Sequence, residues 1–393
     1  MTIGINCISI EPEYTGGINS FTIGLLDGFS KINTTHQFNI FVSNKNKGVF
    51  EKYLINKNFN IIEIDLPSPF FIYMEWKSIK LHSHWIYKII KNIVYKKQAK
   101  WIDKQCDILY TPTTTLFTYN SSVPNVLSMH DIQHMHYPQF FSKLQLLIRN
   151  ITYDLSAFHA DYLQVSSNFI KSDFLSNFHF LKPERLELIK EGVNIEQFRT
   201  SSIDIRKKYL LPDFFLFYPA QLWSHKNHIT ILKALLLLKK TEDKEISLVL
   251  TGSDYNASEQ IFSFIKENNI QNIYYLGKVS FEEIIALYKA AKFLITASMH
   301  ESSCLPILEA AAAGVPIIAS DIPPNIEMGE IINLNLFKMN SYESLAETIS
   351  KIWDNDKLIN EQIKNNLYNI LYYSWEKIAG QYLFFFEKIF SKQ

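Results

Sequence analysis

The stretch that decides the fold is Thr296–Ser320, TASMHESSCLPILEAAAAGVPIIAS. It reads as the end of a strand, a loop, a short helix and a second strand. Glu301 lies in the loop, Pro306 opens the helix, where its missing N–H costs nothing, and Gly314 ends it before the apolar run Val315–Ala319. A helix N-terminus beside a carboxylate suits a phosphorylated ligand whose hydroxyl groups also need acceptors.

Apolar strand-like runs alternate with helical patterns on both sides of this stretch. The strands predicted in the first half are Ile3–Ile10, Phe38–Ser43, Ile61–Leu66, Ile108–Thr111 and Asn125–Met129. Those predicted in the second half are Phe214–Pro219, Ile246–Thr251 and Ile273–Leu276, with helices over 230–240, 258–268 and 281–290. This alternation predicts an α/β fold with a doubly wound parallel sheet in each half.

Length and composition fit two globular domains. The chain has 393 residues, enough for two domains of roughly 150–200 residues each. Its 39 basic and 39 acidic residues leave no net charge, so a nucleic-acid partner held by bulk electrostatics is not expected. The three cysteines are far apart, no signal-peptide pattern precedes the first strand, and no apolar run approaches the ~18–20 residues of a membrane span. We therefore expect a cytoplasmic protein.

Two polar motifs follow predicted strands of the first half. Gly16-Gly17 stands between the first strand and a helix, where glycine lets the backbone approach a ligand closely; a plain turn is the alternative. His130-Asp131 follows the strand Asn125–Met129, at the edge where open α/β sheets bind ligands. His134 and His136 come next, at a spacing that metal sites also use, but without a carboxylate arrangement typical of one.

Lys226 lies in the loop PAQLWSHKNH (219–228), after the first strand of the second half. A fixed ammonium group at this place can neutralise the charge that develops on a leaving phosphate. The alternative is an ordinary solvated lysine.

The spacing Glu301-x7-Glu309, followed by EAAAAGVPIIAS, resembles the signature of retaining GT-B glycosyltransferases of the GT4 family. The resemblance extends from Gly16-Gly17 to the SWEK run (374–377) and is strongest over 214–322. It implies two Rossmann-like domains facing a cleft: an acceptor-binding domain over 1–200 and a nucleotide-sugar-binding domain over 201–372. A C-terminal helix over 373–393 is expected to cross back onto the N-terminal domain.

The resemblance also assigns roles in the second half. It implies that Glu301 hydrogen-bonds sugar hydroxyls near the reacting centre, that Glu309 accepts from the ribose hydroxyls, and that Lys226 holds the diphosphate. The loop residues Ser302, Ser303, Cys304 and Leu305 are expected to line the nucleotide site. Two departures from the family pattern stand out: this loop lacks the usual glycines, and Gln221 occupies the place of an arginine.

In the first half, the resemblance implies that His130, paired with Asp131, contacts the donor sugar. It also implies that Gly16-Gly17 faces the donor phosphate and the acceptor. No metal is expected, because Lys226 and helix ends can hold the diphosphate, as in metal-independent GT-B enzymes.

The implied reaction is retaining transfer of a hexosyl group from a nucleoside diphosphate sugar to a hydroxyl of a growing bacterial glycan. A lipid-linked O-antigen or capsule is the expected acceptor, and GDP-mannose is favoured over UDP-hexoses as donor. No cofactor besides the donor is implied. Two alternatives remain open: another GT-B enzyme such as a nucleotide-sugar 2-epimerase, or a non-catalytic sugar-binding assembly subunit.

A basic and aromatic stretch covers residues 76–104. It contains eight lysines and one acid, Asp103, with tryptophans and tyrosines interleaved. Such a stretch can lie on an anionic membrane surface. It can equally be a solvated helix face whose aromatic residues pack inward.

Overall fold

The computed structural model describes residues 1–10 and 16–392 and divides into two compact units. The first comprises Met1–Glu191 and Trp375–Gln393, and the second comprises Gly192–Ser374. The predicted boundary after residue 200 lies too late, because the N–H of Val193 donates to the carbonyl of Tyr373 at 2.8 Å. Ile195 and Phe198 are moreover buried in the core of the second unit.

The strands of the first unit form one parallel sheet. They are β1 Thr2–Asn6, β2 Gln37–Val42, β3 Phe59–Glu63, β4 Ile108–Thr111, β5 Asn125–Ser128, β6 Tyr162–Val165 and β7 Leu186–Leu188, in the order β3-β2-β1-β4-β5-β6-β7. All five strands predicted in the first half are present. The last two, β6 and β7, were not predicted.

Helices of the first unit cover the sheet. They are α1 Gly17–Lys31, α2 Lys47–Phe50, α3 Pro69–Ser78, α4 His84–Val94, α5 Lys96–Asp103, α6 Gln133–His136, α7 Lys143–His159 and α8 Asn168–Asn177. Short 3-10 turns occur at 51–55, 79–81, 138–140 and 183–185. Apolar side chains from both helices and strands form the core, as expected for an α/β layer architecture.

The second unit repeats the design. Its strands are β8 Phe215–Pro219, β9 Ser247–Thr251, β10 Ile273–Tyr275, β11 Phe293–Thr296, β12 Ile317–Ser320 and β13 Asn335–Phe337. Its helices are α9 Ile195–Arg199, α10 Ile205–Tyr209, α11 His228–Glu242, α12 Ser258–Glu267, α13 Phe281–Ala290, α14 Leu305–Ala313, α15 Pro323–Gly329, α16 Tyr342–Ile352 and α17 Asp356–Asn369. The parallel sheet has the order β10-β9-β8-β11-β12-β13. This is the Rossmann order, and the strand order reverses between β8 and β11.

The last helix, α18 Trp375–Phe390, belongs to the first unit, as the sequence predicts. It packs on α1, where two glycines one turn apart make room for it. A Cβ atom at Gly24 would overlap the indole of Trp375, and one at Gly28 would overlap the Trp375 carbonyl. Within the same core, the Tyr382 hydroxyl lies 3.3 Å from that of Tyr110 on β4. Trp375 of the SWEK run therefore packs against α1 and helps to fix the position of α18.

Among residues 1–10 and 16–392, no helix combines the length and the apolar character that crossing a membrane requires.

Candidate active site

The predicted residues of the second unit gather where β8 and β11 end. These neighbouring parallel strands flank the point at which the strand order reverses, where open α/β sheets bind their ligands. The loop after β8 carries Lys226, and the loop after β11 carries Glu301. A backbone hydrogen bond of 2.8 Å, from the Met299 N–H to the His225 carbonyl, joins the two loops.

Lys226 and Glu301 form an ion pair at this point. The Nζ of Lys226 lies 2.5 Å from Oε1 of Glu301, and the side chains are 20% and 14% exposed. The pair is thus largely buried but still reachable from solvent. An ammonium group has three N–H donors, so a lysine bonded to one carboxylate can still bind phosphate oxygens.

The backbone around Lys226 is fixed by its neighbours. The buried Tyr218 hydroxyl donates to the Lys226 carbonyl at 2.8 Å. Asn227 adopts a left-handed conformation with φ 55°, which asparagine tolerates better than most residues, and it starts α11. The Asn227 side chain accepts from Thr230 at 3.0 Å. Lys226-Asn227 is therefore a cation followed by the residue at which the chain turns into a helix.

Electrostatics keep Lys226 charged. Burial lowers the pKa of Lys226, but the charge of Glu301, the contributions of Tyr218 and Cys304 and the hydrogen bond to Glu301 together outweigh it, and the net shift of the pKa is upward. Burial, aided by the charge of Lys226, lowers the pKa of the neighbouring His228 to about 3. The loop thus presents one permanent cation beside a neutral imidazole.

The loop that follows Glu301 leads into the N-terminus of α14. Ser302, Ser303 and Leu305 are half-buried, whereas Cys304 is buried at the N-cap position. Burial, followed by the charge of Glu301, raises the pKa of Cys304 to about 12. A thiol in this state is a poor nucleophile. The helix ends at Gly314 with φ 74°, the left-handed cap that the sequence predicts.

Glu309 is held by a tyrosine that no motif indicates. The hydroxyl of Tyr288, on α13, donates to Oε2 of Glu309 at 2.6 Å. Burial raises the pKa of Glu309, and the hydrogen bond from Tyr288 opposes that rise. Tyr288 is itself fully buried. It therefore fixes the orientation of the carboxylate on the first turns of α14.

Gln221, at the position of the family's arginine, makes a local contact. Its Oε1 accepts from the indole N–H of Trp223 at 2.9 Å, and Trp223 stacks on Tyr255 with ring centroids 4.3 Å apart. The side chain thus orients a pair of aromatic rings beside the Lys226 loop. It supplies no second cation.

In the first unit, His130 is held between two acceptors. Its Nε2 lies 3.0 Å from the Pro112 carbonyl, and its Nδ1 lies 3.6 Å from Oε1 of Glu191. Burial lowers the pKa of His130, but hydrogen bonding and charge from Glu191 outweigh it, and the pKa is raised. Both ring nitrogens therefore face oxygen acceptors, which favours the imidazolium form. The edge of Phe21 packs against the ring at 5.1 Å between centroids.

Asp131, which was predicted to pair with His130, stabilises the local backbone instead. Oδ1 of Asp131 accepts from the N–H of Gln133 at 3.0 Å and so shapes the turn before α6. The close carboxylate of His130 is instead Glu191, which is 5% exposed. No motif marks Glu191, because it lies far along the chain from His130.

Gly16 and Gly17 lie at the start of α1, as predicted. The Gly16 carbonyl accepts from the N–H groups of Asn19 and Ser20 at 3.0 and 3.1 Å. A Cβ atom at Gly17 would meet nothing within 4 Å. The packing of the first unit does not require glycine at 17, which leaves room for a ligand-related reason. Thr15, which precedes the pair, lies outside the described residues.

The three histidines after β5 do not converge on one point. His136 pairs with Asp173 at 2.8 Å, whereas the buried His134 packs edge-on against Tyr153. Burial, and then the charge of Arg149, lower the pKa of His134 to about 4. In the described part of the chain, no group of three or more His, Cys, Asp or Glu side chains could hold a metal ion. Metal independence stays a prediction.

The sequence contains one Asp-x-Asp stretch, Asp354-Asn355-Asp356. Asp354 lies 3.8 Å from both Lys244 and Lys292. Those lysines precede β9 and β11, so this acid lies at the edge of the sheet opposite to Glu301. Its position separates it from the Lys226–Glu301 pair.

Residues 201–368 match the family model described as Glycosyl transferases group 1. Two curated proteins are similar over about half of the chain or somewhat more. The GDP-mannose:cellobiosyl-diphosphopolyprenol alpha-mannosyltransferase of Xanthomonas oryzae is 25% identical over 51% of this chain and 52% of its own length. The O-antigen chain mannosyltransferase RfbU of Salmonella typhimurium is 23% identical over 60% and 64%.

Among solved structures, Anabaena HepE in complex with UDP and glucose superposes with a TM-score of 0.73. It is 18% identical, and the match covers 99% of this chain and 100% of that one. At this identity the likeness shows the fold, two Rossmann-like units. The chain is thus similar to glycosyltransferases in sequence over 201–368 and in the fold of its two units.

Proposed function

We propose that this protein is a retaining hexosyltransferase that uses a nucleoside diphosphate sugar and extends a lipid-linked bacterial glycan in the cytoplasm. The observation that carries the proposal is the Lys226–Glu301 ion pair at the ends of β8 and β11, beside the N-terminus of α14. It combines a cation for a leaving diphosphate with a carboxylate for sugar hydroxyls.

The leaving diphosphate would be stabilised from two sides. Lys226 stays protonated and offers N–H donors to the phosphate, while the first amides of α14 add the positive end of a helix dipole. Glu301 would accept from hydroxyls of the donor sugar, and Glu309, oriented by Tyr288, from hydroxyls of the ribose.

Retention would follow from attack on the face that the diphosphate leaves. The acceptor oxygen bonds to the anomeric carbon as the bond from that carbon to the phosphate oxygen breaks. The departing phosphate takes the acceptor proton, so no protein nucleophile is needed. The raised pKa of Cys304 makes this thiol a poor nucleophile, which is consistent with a mechanism that uses none.

GDP-mannose is the favoured donor, because two similar proteins are named as mannosyltransferases, one of them for GDP-mannose. The acceptor is proposed from the same names, which refer to a diphosphopolyprenol glycan and an O-antigen chain. UDP-hexoses are second, on the strength of the UDP bound to HepE.

The deciding experiment measures nucleotide release from GDP-mannose with and without a polyprenyl-diphosphate oligosaccharide acceptor, in buffer containing EDTA. Release that depends on acceptor, with an α-linked product, supports the proposal. A nucleotide-sugar 2-epimerase would convert the donor without acceptor, and a non-catalytic subunit would do neither. Turnover lost in EDTA and restored by Mg²⁺ or Mn²⁺ would refute the metal-free mechanism.

A thermal-shift comparison of GDP, UDP and dTDP identifies the base. A ligand present at 100 times its Kd stabilises the folded protein by about 2.7 kcal/mol, so the cognate nucleotide should stand apart from the others.

A further inference from the structure

Helix α3 turns its apolar side chains to solvent. Five of its side chains are between 41% and 65% exposed: Phe70, Phe71, Tyr73, Met74 and Trp76. Just beyond the helix, Leu81 and Trp85 are 58% and 71% exposed. Several exposed apolar side chains on one short segment often mark a contact site.

The side of α3 that faces the protein carries polar groups as well as the half-buried Ile72. Glu75 accepts from the hydroxyls of Tyr87 and Tyr95 at 2.7 and 3.2 Å, and it lies 3.8 Å from the Nζ of Lys91. Ser78 is buried one turn further on. The carboxylate of Glu75 thus faces inward, while the aromatic residues of α3 stay exposed.

This arrangement corrects the expectation for residues 76–104. Lys91 is 8% exposed and paired with Glu75, so it is not available to a membrane. Tyr87 and Tyr95 are buried as well. The exposed aromatic surface begins earlier, at Phe70.

The charges along this stretch of the chain are mostly positive. Between Pro69 and Lys104 the chain has eight lysines and two acids, Glu75 and Asp103. Glu75 is engaged with Lys91, and Asp103 accepts from Ser121 and Ser122. Two exposed cations lie over aromatic rings of the helix: Lys77, on α3, is 4.9 Å from the Tyr73 ring, and Lys80, in the turn that follows, is 4.8 Å from the Trp76 ring.

We propose that α3 and the start of α4 form a docking surface for an anionic membrane. In this arrangement Phe70, Phe71 and Trp85 enter the boundary between headgroups and acyl chains, while Lys77 and Lys80 contact lipid phosphates. Aromatic rings favour that boundary, and the lysines supply the complementary charge. The exposure of the aromatic residues of α3 then has a reason, because they meet lipid. The inference does not depend on the proposed reaction.

Flotation with vesicles tests the surface directly. Wild-type protein should float with vesicles of phosphatidylcholine mixed with phosphatidylglycerol, and much less with phosphatidylcholine alone. Lys77→Gln with Lys80→Gln should lower the partition coefficient about 30-fold, since each charge near the surface contributes about 1 kcal/mol, a factor of about five. This loss should shrink at high salt, because surface attraction decays within a Debye length.

A second variant removes the apolar part. Phe70→Ser, Phe71→Ser and Trp85→Ser together should abolish flotation, and these exposed positions leave the core intact. Matched controls change equally exposed residues elsewhere: Lys357→Gln with Lys364→Gln for charge, and Ile55→Ser, Tyr368→Ser and Phe384→Ser for apolar surface. The controls should float like the wild type.

Transfer to a short water-soluble acceptor should be unchanged in both α3 variants, which separates this proposal from the proposed function. Equal flotation of wild type and variants would overturn it. So would a wild type that stays in solution but changes from dimer to monomer when Phe70, Phe71 and Trp85 are replaced, since the surface would then join two copies of the chain.

Discussion

The two units place polar residues at equivalent strand ends, but they use charge in opposite ways. In the second unit the cation Lys226 and the anion Glu301 both come from motif positions, and both stay partly exposed. In the first unit the candidate cation, His130, is paired with the buried Glu191, which no motif reveals. The comparison suggests that the second unit presents a charge pair to a ligand, whereas the first uses a charge pair to hold a ring in place.

The largest expected effect comes from removing the exposed cation. Lys226→Ala should lower kcat by about 10²–10³-fold, because the leaving diphosphate loses its cation and the carboxylate of Glu301 remains beside it. Steady-state kinetics with saturating acceptor measures the loss. Lys226→Arg, which keeps the charge, should recover part of it. An unchanged kcat in Lys226→Ala would show that the charge pair of the second unit does not act on the leaving diphosphate.

Glu301→Gln should lower kcat on the order of 10²-fold and leave nucleoside diphosphate binding nearly intact. The amide keeps the shape of the side chain but loses the charge-assisted hydrogen bonds to sugar hydroxyls. Kinetics and calorimetric titration with free nucleotide separate the two effects. Because the two residues touch, the double variant with Lys226→Ala should lose less than the product of the single losses. Strictly multiplicative losses would show that the pair does not act as a unit.

Variants of Tyr288 and Glu309 test the proposed ribose contact. Glu309 belongs to the sequence motif, whereas Tyr288 does not. Glu309→Ala should weaken nucleotide binding by about 1–3 kcal/mol through loss of hydrogen bonds to a charged acceptor. Tyr288→Phe should weaken it by about 1 kcal/mol, because it frees the carboxylate without removing it. A smaller loss in Tyr288→Phe than in Glu309→Ala, with kcat preserved, identifies Tyr288 as a positioning residue. Unchanged affinity in Glu309→Ala would remove this end of α14 from the nucleotide site.

The sequence predicted those features that local chemistry determines. Alternating apolar runs identified both parallel sheets, and Gly314 marked the end of α14, because these depend on neighbouring residues. Partners from distant elements could not be predicted. Tyr288 lies 21 residues from Glu309, and Glu75 pairs with Lys91 on another helix. Both contacts exist only once the fold has formed.

The same reason explains the misplaced domain boundary. The predicted boundary after residue 200 falls in the polar stretch Arg199–Asp204, yet Val193 already donates a backbone hydrogen bond to Tyr373. A strand-like contact between residues this far apart leaves no compositional trace in either segment.

The smallest expected effect concerns the paired histidine of the first unit. Because the pKa of His130 is raised in the folded protein, the pair contributes stability that is fully present below the unfolded pKa of about 6.5. That contribution is lost as pH rises through the folded pKa. Above pH 6.5, the free energy of unfolding should therefore fall with increasing pH, by at most about 1.4 kcal/mol per pH unit from this group.

Glu191→Gln isolates this contribution. Without the carboxylate, burial dominates and lowers the pKa of His130, so the variant should lose the additional stability near pH 6.5 and differ less from the wild type at higher pH. Urea unfolding of both proteins between pH 6 and 9 measures the difference at each pH, and the contributions of the other histidines cancel in it. A difference that does not change with pH would mean that His130 is neutral in the folded protein. The ring of His130 would then be available to contact the donor sugar. The first unit would not use a charge pair to hold that ring in place.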